Sequence, residues 1–199
     1  MRRRALAPAL LIALVGDARA HAFSPDAGHF YSGLTHAFID PGQVLLLLGF
    51  ALLAAQRDLT TARTVVIGMP LLALVISTLP VPAAWLPIAE VGVLLAASLV
   101  SFTLVLAIPC ASGWLKGMAL TSALGPGLIN GAELAREDWL VPRLYLSGAA
   151  LGIFLMVMGS FILASTARSA FGAHAEVATR VLGSWLLACS LLLLALRWG

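Results

Sequence analysis

Apolar residues run through this chain in six long stretches, near residues 41–56, 64–80, 85–108, 114–132, 143–165 and 178–197, with short polar breaks between them. The stretches lack the ten-residue alternation of transmembrane strands. Most approach the ~20 apolar residues that carry a helix across a bilayer. Helices are required there because lipid offers no partner to backbone amides and carbonyls. The pattern predicts an all-α fold, a polytopic membrane helical bundle of six transmembrane helices. Its short connections make neighbouring helices antiparallel.

The segment ahead of these stretches has a different pattern. Met1-Arg2-Arg3-Arg4 is basic, Ala5 to Gly16 is apolar apart from a break at Pro8, and Ala18-Arg19-Ala20 has the A-x-A form of a cleavage site. The apolar run is too short to span. Residues 1–20 therefore read as a signal peptide, residues 21–40 as a periplasmic N-terminal segment and residues 41–199 as the six-helix transmembrane domain. An uncleaved first helix is the alternative. Ser24-Pro25 offers a helix cap followed by proline at the first helical position. A short outer helix is expected from Pro25 to about Ile39, with Pro41-Gly42 breaking or kinking the chain as it enters the membrane. Gly125-Pro126-Gly127 interrupts the fourth stretch. Paired interruptions mark transporters with broken helices, and two simple kinks give the same pattern.

Composition supports the membrane reading. The chain has 199 residues, is 61% hydrophobic and 11% charged, and has a mean hydropathy of +1.00. A soluble domain carries about a quarter charged residues. Removing residues 1–20 takes away Arg2, Arg3, Arg4, Arg19 and Asp17. Twelve basic and nine acidic residues become eight of each, and the formal net charge falls from +3 to zero. The basic excess belongs to the leader and points to no nucleic-acid partner.

Charge also gives an orientation. The inner loops are expected to carry Arg57, Arg63, Lys116, Arg168 and Arg180. The outer side carries Arg136, Arg143 and Arg197, offset by Glu133, Glu137 and Asp138. This bias matches the positive-inside rule. It places the mature N-terminus and the C-terminus in the periplasm, in a multi-pass protein of the bacterial inner (cytoplasmic) membrane. Cys110 falls at an inner turn and Cys189 inside the last helix, so a disulfide between them is not expected.

Three of the four histidines lie between His21 and His36. Ordered by depth, His36, Asp40 and Gln43 sit at the outer end of the first stretch. Asn130 and Glu133 sit at the outer end of the fourth, and Glu90 near the outer end of the third. His36 and Asp40 are four apart, and Asn130 and Glu133 three apart, so each pair shares a helix face. An ionised carboxylate at Glu90 is costly in lipid and should face a partner, water or the bundle interior. Together these groups could form an outward-facing pocket of oxygen and imidazole ligands suited to a divalent cation. The tail adds His21, Asp26 and His29. Once the leader is cleaved, His21 offers an imidazole and a free α-amine, a pair that chelates copper or nickel. His29 shares a face with His36 only if the helix is continuous. His174 lies in an inner loop beside Glu176. Ser98, Ser101, Ser112, Ser122 and Ser160 have no base at supportive spacing, and no HExxH motif is present, so no enzyme is expected.

Three windows resemble the HupE/UreJ family, small membrane proteins associated with nickel supply to hydrogenase and urease. The first runs from Gly33-Leu34-Thr35-His36 through Gly42-Gln43-Val44-Leu45 to Ala54-Ala55-Gln56. The second is Gly125-Pro126-Gly127-Leu128-Ile129-Asn130-Gly131-Ala132-Glu133-Leu134. The third is Glu90-Val91-Gly92. The family's Asp-His pair falls on Gly42 and Gln43, and its second run of histidines falls on Pro126, Leu128 and Asn130. His36, Gly131 and Glu133 keep the pattern, and Asp40 stands two positions from it.

The resemblance implies a membrane permease for a divalent metal ion, nickel, cobalt or another, with no permanently bound cofactor. The metal candidates are His36, Asp40, Glu90, Glu133, Asn130, Gln43, His21 and His29. The alternative is a non-transporting membrane accessory or assembly protein for a metalloenzyme or respiratory complex. The expected partners are the lipid bilayer, a metal ion and such a membrane or metalloenzyme complex.

Overall fold

A computed structural model describes residues 28–108, 111–135 and 142–198. The expected leader at residues 1–20, His21, Ser24-Pro25 and Cys110 lie outside the described residues. Within them the chain is helical, with no strand. The elements are α1 (Gly28–Ile39), α2 (Pro41–Ala54), α3 (Leu59–Ser77), α4 (Leu86–Val105), α5 (Ser112–Ser122), α6 (Leu124–Leu134), α7 (Pro142–Phe171) and α8 (Ala173–Trp198). A π-helical turn, Thr64–Gly68, lies inside α3, and a 3-10 turn, Ala83–Trp85, leads into α4.

Among the described residues, four helical stretches are long and apolar enough to cross a bilayer: Leu59–Ser77, Ala83–Val105, Arg143–Phe171 and Ala173–Arg197. α1 and α2 qualify together as a fifth, bent by 68°. The expected fourth span is divided. α5 and α6 have 11 residues each, about 16 Å apiece at 1.5 Å per residue, against a hydrocarbon core of roughly 30 Å. Four or five spans thus stand where the hydrophobic pattern predicts six. The division at Ala123 has a simple cause. Pro126 has no N–H to give the Ser122 carbonyl, so the helical ladder lapses one turn before it.

The first break is where the sequence places it. Asp40 caps α2, its Oδ1 accepting from the Gln43 backbone N–H at 2.9 Å, and Pro41 takes the first helical position. At the opposite end of the bundle, Asp58 caps α3 through the Thr61 hydroxyl (2.7 Å) and N–H (3.0 Å). These bonds, the hydroxyl first, hold its carboxyl below the usual carboxylate range. α7 and α8 are longer than the hydrophobic stretches they contain and meet at Gly172, whose left-handed φ of +51° turns the chain tightly. His174 consequently sits in the first turn of α8 and not in a loop.

α2 is the central helix. Leu46, Leu47, Phe50, Ala51 and Ala54 are fully buried, and α4, α7 and α8 surround it. Large apolar side chains also cover the outside, with Leu163 exposed to 73% and Leu196 to 70%. Water would penalise such a surface, whereas lipid favours it.

α1 lies along the start of α7 with backbone against backbone. A Cβ on Gly148 would overlap the Phe30 carbonyl oxygen, one on Gly152 the Leu34 carbonyl oxygen, and one on Gly33 the Tyr145 carbonyl oxygen. Small residues four apart let membrane helices approach this closely. The Gly148–Gly152 stripe is therefore used within the bundle, against α1.

Candidate functional site

The end of the bundle where α1 meets α2, expected from the charge pattern to face outward, opens into a cavity of about 170 Å³. His36 reaches it from the last turn of α1, Asp40 from the bend, Glu90 from the first turns of α4 and Glu133 from the end of α6. Of the six residues expected to share a pocket, these four line one cavity. Arg197, on the last turn of α8, lines it too and forms an ion pair with Glu90.

His36 is the centre of the arrangement. Its Nε2 lies 3.5 Å from Glu133 Oε2 and 4.0 Å from Asp40 Oδ2. That nitrogen is buried yet has no hydrogen-bond partner among the described residues. It lies near both carboxylates but is aligned for a hydrogen bond with neither. The carboxylates themselves are held from behind. Asp40 is fixed by its capping bond to α2, and Glu133 Oε2 accepts a 2.6 Å hydrogen bond from the Tyr145 hydroxyl. Tyr145 is 9% exposed, and its ring centroid lies 6.3 Å from that of His36.

The remaining candidates separate from this cluster. Gln43 is fully buried one turn deeper than Asp40, its Nε2 3.5 Å from Asp40 Oδ2 and its Oε1 without a partner. Asn130 is 2% exposed one turn deeper than Glu133, and its Oδ1 also lacks a partner. Neither lines the cavity. His29 is exposed at the start of α1 and does not line it either. His21 lies outside the described residues.

The chemistry available is that of a loosely gathered cation site. Among the described residues, no three or more of His, Cys, Asp and Glu are set closely enough to hold a metal ion as they stand. What is present is an unsatisfied imidazole nitrogen facing two positioned carboxylates, with a third carboxylate held off by an arginine. Ser98 and Ser190 meet at 3.0 Å across α4 and α8 while each also bonds a carbonyl of its own helix, which is a packing role.

Sequence reasoning missed Arg197 and Tyr145 as members of the site. Both had a signal: each lies at the outer end of its helix, at the depth of Glu90 and Glu133.

Apolar helices of spanning length, with a small acidic cavity at one end, define an integral membrane protein with a solute-sized polar site at its rim. The family model described as HupE / UreJ protein matches residues 9–193, most of the chain, and the chain belongs to that family. Membership implies a transport or accessory role in nickel or cobalt handling. Neither the curated proteins nor the solved structures provide a match.

Proposed function

We propose that the protein is a permease for a divalent metal ion of the nickel or cobalt kind, which enters through the outer cavity. The observation that carries this reading is the buried, unpartnered Nε2 of His36 between the carboxylates of Asp40 and Glu133. Imidazole with carboxylate is a ligand set for such ions. A transport site must also let its cargo go. Groups spread around a cavity meet that need better than a closed coordination cage.

The topology we propose has six crossings. The α1–α2 pair, α3, α4, the α5–α6 pair, α7 and α8 each make one. The leader is removed after Ala20, and both mature ends face the periplasm of the inner membrane.

The second reading is a non-transporting accessory or assembly protein, and Arg197 is the observation that favours it. A tethered guanidinium on Glu90 occupies part of the charge that a metal would use. Uptake of nickel, cobalt, zinc, copper and manganese into liposomes holding the mature protein separates the two, with Arg197→Gln measured beside the wild type. A permease should carry at least one of these ions. Freeing Glu90 should then lower the half-saturating metal concentration by roughly tenfold, or ~1.4 kcal/mol. No uptake of any metal by well-folded wild type rejects the permease and leaves the accessory role.

A further inference from the structure

The larger of the two cavities described lies at the opposite, inner end, and its charge has the opposite sign. It has a volume of about 390 Å³, between the end of α2, the turn after α4, the end of α7 and the start of α8. Arg168 and Arg180 line it from two helices, with Gln56 and Thr179 as further polar groups and Glu176 as the one acidic group among the lining residues. Two guanidiniums make it hostile to a metal cation. Guanidiniums are well matched to phosphate, whose oxygens they meet through planar, paired N–H groups.

Neither arginine is used up by its described contacts. Arg168 Nη2 is 3.5 Å from Glu176 Oε1 in a solvent-exposed pair, a kind of contact that contributes little in water and gives way easily. Arg180 donates its Nε to the Val105 carbonyl at 3.1 Å. That bond ties the side chain to the end of α4. Its two Nη groups make no hydrogen bond to a described residue.

Exposed apolar side chains lie beside these charged groups. Val177 lines the cavity while being 62% exposed, and Phe171, beside the α7–α8 turn, is 66% exposed. Alanines, among them Ala55, Ala107 and Ala164, form much of the wall and leave the space open. Two guanidiniums beside exposed apolar side chains suit a ligand with an anionic head and a hydrocarbon tail.

We infer that this inner cavity binds the phosphate headgroup of an anionic phospholipid. The site is separate from the outer cavity, and its occupation does not depend on what, if anything, the protein transports.

The test is native mass spectrometry of the full-length chain, delipidated in mild detergent and titrated with phosphatidylglycerol or phosphatidylcholine. Phosphatidylglycerol should bind at least tenfold more tightly. The double variant Arg168→Gln/Arg180→Gln should reduce that preference at least fivefold. Arg63→Gln, an exposed change at the same end of the bundle that leaves the cavity lining intact, should keep it, and circular dichroism should show unchanged helix in all three proteins. Equal binding of the two lipids overturns the proposal, as does a well-folded double variant with wild-type preference. Should the double variant fail to fold, competition decides. Millimolar inorganic phosphate that displaces phosphatidylglycerol completely would make this a site for free phosphate and overturn the lipid assignment, whereas phosphatidylglycerol retained against phosphate supports it.

Discussion

Gly148→Val is expected to abolish metal uptake while most of the bundle remains helical. At this position α7 meets α1 without room for a Cβ, and the obstructing atoms are the Phe30 carbonyl and the Leu34 amide nitrogen. Backbone of a packed helix cannot swing aside as a flexible side chain can, so the helices must separate. Overpacking of this sort costs about 1–3 kcal/mol, and three glycines share the contact. The expected outcome is displacement of α1, and with it His36, from the cavity that Asp40, Glu90 and Glu133 still form. Gly159→Val is the matched control. It makes the same substitution on the same helix, but a Cβ there meets nothing within 4 Å, and uptake should stay at the wild-type level. Thermal unfolding and liposome uptake measured on both variants check this. A folded Gly148→Val protein with wild-type uptake would show that the docking of α1 does not position the site.

His36→Ala and Glu133→Gln are expected to have the largest direct effects on transport. A unit charge pair about 4 Å apart is worth about 4 kcal/mol at an effective dielectric constant of ~20. The cavity opens to solvent, so a smaller loss of about 2–3 kcal/mol is expected for Glu133→Gln, or roughly 30–150-fold in affinity. The amide keeps the shape and an oxygen ligand but gives up the charge. His36→Ala removes the one nitrogen ligand in the cluster and should shift the selectivity that remains away from nickel and cobalt toward manganese. Tyr145 still holds the residue at 133 in place in the glutamine variant, which separates loss of charge from loss of structure. Metal-concentration dependence of uptake measures all of this. Wild-type half-saturation in both variants would remove the outer cavity from the transport path.

Much of this arrangement can be read before any coordinates. The break at Pro41-Gly42 and the interruption before Gly127 follow from proline chemistry alone. Depth along each helix brings His36, Asp40, Glu90 and Glu133 to one end of the bundle, and the structure puts all four around one cavity. Rotation about the helix axis is the harder quantity. α2 and α4 are apolar on every face, so no polar stripe says which way Gln43 or Glu90 turns. Gln43 and Asn130 accordingly lie one turn below the site without lining it. Spans are counted poorly for a related reason. Pro126 marks an interruption, but a hydrophobic stretch does not reveal that the two pieces are separate helices of 11 residues each, nor that α1 must be added to α2 to reach across.

Arg197 was missed because of where it sits. A cation in the last turn of a terminal helix reads as an interfacial anchor, and its contact with Glu90 joins residues 107 apart in sequence. The Gly148–Gly152 stripe shows the reverse case. The need for a close neighbour is plain from the sequence, while the identity of that neighbour, α1, comes only from the packing.

The proposed permease holds a divalent cation between His36, Asp40 and Glu133. A structure of the mature protein determined with cobalt, using the anomalous signal of the metal, tests it most directly. A principal cobalt peak is expected in the outer cavity, within coordination distance of His36 Nε2 and a Glu133 oxygen. Cobalt bound only elsewhere, at His29 or His174 for example, with the cavity free of it under conditions that support uptake, would contradict it.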